Sequence, residues 1–264
     1  LGNSSSTLRG DERDDVLVGT ANSNLLDGGK GADTLQGTEF RDIYIIDDPG
    51  DVIQEVVDPI ILVPASRIEP AEASSESLAL DAASAESRKV GAENPQVSIR
   101  DLVRSYIDFD LNSVTAKDNN GFIVNGTVED LELIEGSQAT RGTGNGAANR
   151  ISGNENNNTL TGGGGNDTLD GRQGINFLEG GAGDDLYVLN SEADSLLEAG
   201  MDKNDAVAAP FSIDLNSEKF SAIEHLTLSG VGNLMGKGNS KNNNLIGNNG
   251  NNTLEGLEGH DSLD

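Results

Sequence analysis

One apolar position recurs every nine residues along much of this chain. Leu8, Leu17, Leu26, Leu35 and Tyr44 occupy it first. Ile151, Leu160, Leu169, Leu178 and Tyr187 follow, then Leu245, Leu254 and Leu263. Glycine opens the same blocks, at Gly10, Gly19, Gly28 and Gly37, at Gly144, Gly153, Gly162, Gly171 and Gly180, and at Gly238, Gly247 and Gly256. In GGKGADTLQ at 28–36 the first six residues predict a tight turn, since glycine takes backbone angles that other residues resist. The last three, Thr34-Leu35-Gln36, suit only a short strand with one side chain pointing inward. Two blocks make a coil of turn, strand, turn and strand. Stacked coils then form parallel strands about 4.8 Å apart, with leucines filling a thin core and turns lining both long edges. The predicted fold is all-β, a parallel roll or solenoid.

A longer period lies on top. DIYIIDDPGDVIQE at 42–55 resembles DLYVLNSEADSLLE at 185–198, SYIDFDLNS at 105–113 resembles PFSIDLNS at 210–217, and VEDLELIEG at 128–136 resembles IEHLTLSG at 223–230. This predicts two related units, 1–143 and 144–264, the second truncated at its C-terminal end. The extra length of the first falls at about 58–97, an Ala/Ser/Glu-rich stretch with prolines nearby that predicts a loop or frayed helix. The chain opens on Leu1 and stops at Asp264, where the pattern next calls for glycine, so it reads as a piece of a longer protein.

Stacking gives the nine-residue pattern chemical meaning. Neighbouring blocks place their turns on opposite edges, so only blocks two apart face each other. In 162–188 that puts Asp167 above Asp185, with Asn149 beyond, and Asn158 above Asn176 on the other edge. One edge is acidic and the other neutral. Two carboxylates at strand spacing repel by about 3–4 kcal/mol at an effective dielectric near 20. Turn carbonyls add to the negative potential, and a hard divalent cation reverses it. Calcium suits such irregular oxygen cages better than magnesium, which demands octahedral geometry. Stacked asparagines need no ion, because amides hydrogen-bond along a ladder.

Composition sharpens this picture. The chain has 264 residues, with 17 basic against 45 acidic side chains and a formal charge of −28. Such a surface repels nucleic acid and anionic membranes and attracts cations. With 34 glycines, 3% aromatics and no cysteine, only repetition or bound ions can hold the fold together. No apolar run approaches the roughly 20 residues of a membrane helix, and no signal peptide is visible.

GGKGADTLQ, GGGGNDTLD and GGAGDDLYV resemble the RTX (repeats-in-toxin, haemolysin-type) calcium-binding nonapeptide, G-G-x-G-x-D-x-U-x. The likeness covers roughly 1–45, 144–188 and 238–264. It implies a right-handed parallel β-roll with calcium between the turns of alternate blocks, held by the aspartate and by backbone carbonyls. Carried onto this chain, it implies carbonyls of Gly163 and Gly165 with Asp167, facing Gly181 and Gly183 with Asp185. It likewise implies Gly29 and Gly31 with Asp33, facing the turn of Asp15, although Asp11 and Arg13 replace glycines there. Phe40 replaces a turn glycine in 37–45, whose edge partner is Asn24, so no site is expected in that block. Asp261 faces Asn243.

Several other readings compete. The repeats suit a metal-free solenoid held by ladders alone. Acid–base catalysis by the carboxylates fits poorly, because each faces its own copies. His225 and His260 lie outside any catalytic motif, and GTGNG lacks the lysine of a phosphate loop. The expectation is a non-enzymatic segment of a secreted bacterial exoprotein (adhesin, surface-layer protein or toxin), exported by type I secretion and folded by extracellular calcium. The alternative is the accessory region of a secreted metalloprotease, lipase or epimerase whose catalytic domain lies outside the chain. A glycan-binding solenoid ranks last, for want of an aromatic platform.

Overall fold

The computed structural model describes residues 6–38, 40–57, 100–118, 123–124, 128–198 and 204–264. The 58–97 stretch singled out above therefore lies outside the described residues. The fold is an all-β parallel solenoid. Among the described residues there is no α-helix, only two short 3-10 turns at Leu111–Ser113 and Glu218–Phe220. Among the described residues no helix is long and apolar enough to cross a membrane.

A single sheet of twelve strands forms one wall from Ser6–Arg9 to Ser262–Leu263. Among the described residues, sheets of five, five and three strands make up the rest. Apart from Phe109–Asp110, Thr115–Asp118 and Ile123–Val124, which follow one another in short sheets with the last two paired antiparallel, the chain alternates between the long sheet and the short ones, so consecutive strands in a sheet come from alternate blocks. Pairing follows the sequence period: Leu169 lies beside Tyr187 in the long sheet, and Leu160 beside Leu178 opposite. Where the nonapeptides lapse, the long sheet holds its course. Tyr44 pairs with Val103, Val103 with Leu131, and Leu131 with Ile151. The 143/144 boundary between the sequence units therefore lies within one continuous sheet.

Short strands close this way because most contribute a large inward side chain. Leu26, Leu35, Tyr44, Ile151, Leu160, Leu169, Leu178, Tyr187 and Leu245 are completely buried. Each such burial is worth about 1.5–3 kcal/mol, and stacking makes the core continuous where a lone coil has none. Leu8, Leu17 and Leu254 pack against it while partly exposed. The turns depend on glycine where coils approach most closely. Gly163 and Gly181 both have φ near +110°, and a methyl group on Gly181 would strike the carbonyl oxygen of Gly163.

Candidate metal sites on the two turn edges

From the second strand of the long sheet onward, a residue at or just before the start of each strand closes a turn, and these residues form a ladder. The side-chain oxygen on one coil accepts the backbone N–H of its counterpart on the coil before. Asn24 N–H donates to Asp42 Oδ1 (2.7 Å), Asp42 to Asp101 Oδ1 (2.6 Å) and Asp101 to Glu129 Oε2 (3.1 Å). Beyond Asn149 the ladder resumes: Asn149 N–H to Asp167 Oδ1 (2.7 Å), Asp167 to Asp185 Oδ1 (2.7 Å), Asp185 to Asp205 Oδ1 (2.9 Å) and Asp205 to Glu224 Oε2 (3.1 Å). Asn243 N–H then donates to Asp261 Oδ1 (2.9 Å). One carboxylate oxygen is thus committed to the backbone. The other is left facing the turn.

Asp167 shows the consequence. It is 2% exposed, and its Oδ2 has neither solvent nor a hydrogen-bond partner. Around it are oxygens. A methyl group built on Gly162 would collide with both Asp167 Oδ2 and the Gly180 carbonyl, so these two line the same gap. The carbonyls of Gly163 and Gly165 abut Gly181 and Gly183 on the next coil. Burial pushes the Asp167 carboxyl up to about 7; the Asn149 N–H opposes this and the Asp185 charge adds to it. Asp33 repeats the arrangement on the other edge. Its Oδ1 accepts from Asp15 N–H (2.8 Å), its Oδ2 is buried without a hydrogen bond, and burial raises its pKa. The carbonyls of Asp11 and Arg13 meet Gly29 and Gly31 there. The two non-glycine residues thus supply the same backbone oxygens, because a carbonyl is indifferent to its side chain.

The amide turns solve the same problem without an ion. Asn158 Oδ1 accepts Asn154 N–H (2.9 Å), and its Nδ2 donates to Asn154 Oδ1 (3.1 Å). Asn176 Oδ1 accepts Asn158 N–H (2.8 Å), and its Nδ2 donates to the Gln173 carbonyl (3.1 Å). Where a carboxylate offers a second acceptor to a carbonyl-lined turn, an amide offers a donor.

The structure brings the predicted residues together in two places. Asp167 with Asp185, and glycines 163, 165, 181 and 183, share one turn edge along the long sheet. Asp15 and Asp33, with Gly29 and Gly31, share the opposite edge along a short sheet. The Phe40 block, where no site was expected, closes on itself. Asp42 Oδ1 accepts from the Asn24 amide (2.8 Å) and Oδ2 from Thr38 N–H (2.7 Å), so both oxygens are engaged.

Sequence reasoning missed the ladder members beyond the blocks it read: Asp101, Glu129, Asp205 and Glu224 on the long-sheet edge, and Asp51 and Asp194 on the other. Asp33 N–H donates to Asp51 Oδ1 (3.0 Å) and Asn176 N–H to Asp194 Oδ1 (2.8 Å), so the amide edge ends on a carboxylate. The signal for them is present. Each stands two residues before an inward apolar side chain, as in Asp205-Ala206-Val207, which is the Asp-x-Leu phase of the repeat without its glycines.

The fold and turns define a class: a parallel β-solenoid whose glycine turns bury carboxylate and carbonyl oxygens suited to a hard cation. The chain matches the family model of the RTX calcium-binding nonapeptide repeat, in four copies, at residues 9–44, 143–178, 169–196 and 237–264. The chain carries RTX calcium-binding nonapeptide repeats, and such repeats bind calcium as a structural ligand. The family is typically found in secreted bacterial proteins. No curated protein matches the chain.

Proposed function

We propose that this chain is a non-enzymatic structural segment of a secreted bacterial exoprotein, of the adhesin, surface-layer or toxin kind, and that calcium outside the cell folds it. Asp167 carries the reading. Its buried Oδ2 lies beside turn carbonyls with no hydrogen to accept, an arrangement that costs stability until a cation joins it. Gly163, Gly165, Asp167, Gly181, Gly183 and Asp185 hold one ion on this reading, and Asp15, Gly29, Gly31 and Asp33 another. Extracellular modules bind calcium at about 10⁻⁴–10⁻³ M. In the calcium-poor cytosol the chain, at −28, stays unfolded and fit for export through a narrow channel. Outside, binding free energy becomes folding free energy. The carboxylates of the ladder accept from the backbone of the preceding coil, a structural use that supports a role without catalysis.

Far-UV circular dichroism tests this directly. Adding millimolar calcium to chelated protein is expected to convert a disordered spectrum to a β one. A β spectrum indifferent to chelator would refute the proposal.

A further inference from the structure

The last glycine turn of the central run, 180–185, is followed by a stretch whose sequence departs from the nonapeptide. Strand pairing carries the register across this change. Thr161 lies beside Glu179 and Glu179 beside Leu197, so Glu198 stands where Gly180 and Gly162 stand on the two preceding coils. Meanwhile the turn-closing ladder runs on from Asp185 to Asp205. A side chain thus replaces a glycine at the point where the coil faces the aspartates. Asp185, Glu198 and Asp205 each present a carboxylate oxygen, and the three oxygens lie within 4.8 Å of one another.

Two details make this more than an acidic surface. Asp205 is 1% exposed, and its Oδ2 is buried with no hydrogen-bond partner. The charges acting on it, Glu198, Glu224 and Asp185, are all negative. Glu198 is also held in place. Its Oε2 accepts the Tyr187 hydroxyl (2.6 Å), and the phenol oxygen accepts Gly180 N–H (2.9 Å). Tyr187 is itself completely buried as the core residue of its strand, so the carboxylate is tied to the roll by a fixed phenol. Three carboxylate oxygens at this spacing repel unless a cation sits among them, and an all-oxygen donor set selects a hard one.

We propose that Asp185, Glu198 and Asp205 form a calcium site of a second kind, one coil beyond the last glycine turn, in which a glutamate side chain takes over from turn carbonyls. The site rests on the calcium-folded reading of the roll. It extends ion binding into a coil that lacks the nonapeptide and ties the strand Ala206–Ala209 to the repeat run. The first unit has the same three positions, Asp42, Glu55 and Asp101, with Gln36 beside Gln54 setting the register. There, hydrogen bonds from Asn24 and Thr38 engage both oxygens of Asp42. Among the described residues only the Asp185 trio converges.

Calorimetric titration of the full chain with calcium chloride, comparing wild type with Glu198→Gln and Asp167→Asn, tests the assignment. Glu198→Gln is expected to bind one calcium fewer while keeping the β spectrum and the ion that Asp167→Asn removes. A wild type that binds no calcium would sink the calcium-folded reading and this site with it. A wild type that binds, beside a Glu198→Gln variant with the same count and affinity, would overturn this site alone. Should Glu198→Gln fail to fold, anomalous diffraction from wild-type crystals grown in calcium chloride decides. An ion at about 2.3–2.6 Å from Glu198 supports the site, and ions only between the glycine turns exclude it.

Discussion

Asp167 and Asn158 close equivalent turns on opposite edges of the same stretch of roll. Both are buried, and both stand two residues before a leucine of the core. Each also lies in a backbone-to-side-chain ladder with the next coil, Asp167 donating to Asp185 and Asn158 to Asn176. They differ by one atom. The amide nitrogen of Asn158 donates to Asn154 Oδ1, whereas Asp167 Oδ2 finds no donor. The same backbone thus makes a finished turn with one residue and an incomplete one with the other. On the proposed reading, cation binding here depends on a missing hydrogen as much as on charge.

Breaking that comparison gives the largest expected effect. Asp167→Asn should remove a bound calcium and shift the calcium-free chain toward the roll by about 1–3 kcal/mol, because an amide supplies the absent donor. Calcium titration followed by circular dichroism, starting from chelated protein, checks both halves. A variant with no more β signal in chelator than wild type would mean the carboxylate is already satisfied. Asn158→Ala should instead cost about 1–2 kcal/mol in urea unfolding at saturating calcium and leave the ion count alone.

A smaller effect lies at Asp101 and Glu129. Burial pushes Asp101 up to about 8 and Glu129 up to about 7, and Asp101 and Glu129 repel as charges. A carboxyl raised on folding favours the folded state while protonated, and that stability is lost as pH rises from the ordinary carboxylate range through the raised value. Glu129→Gln should therefore match wild type near pH 4 and become progressively more stable than it towards pH 8. Thermal melts in saturating calcium at each pH measure the difference. A constant gap across that range would rule out the titration.

The smallest change belongs to the amide edge. Arg172 holds φ +55°, a left-handed conformation worth about 1–2 kcal/mol of strain in a non-glycine residue. Its guanidinium pairs with Glu132 at 2.8 Å, a partly exposed bridge worth at most about 1 kcal/mol. Arg172→Gly should shift stability by no more than about 1 kcal/mol, since relieved strain offsets the lost pair and the added chain entropy. Double-mutant melts with Glu132→Gln separate these contributions.

Much of this was legible in the residues. The nine-residue apolar phase requires short strands, and alternate blocks must share an edge, so Asp167 over Asp185 and Asn158 over Asn176 followed from counting. The Asp15–Asp33 pair did too. Less legible was the continuation of the ladder beyond Asp42, through Asp101 and Glu129, and beyond Asp185, through Asp205 and Glu224. Coil lengths vary there, and spacing ceases to report which residues face each other. Asp42 and Asp101 are 59 residues apart along the chain yet one coil apart in space.

By itself, then, the sequence determined the class of fold and the two chemistries of its edges. Periodicity is a local property, and a side chain either carries a donor or it does not. Tertiary structure alone decided how the strands pair where the repeats lapse, which carboxylates meet, and which keep an unsatisfied oxygen. Those outcomes depend on register between coils of unequal length. Glu198 becomes a neighbour of Asp185 and Asp205 only when the strands on either side of it have found their partners.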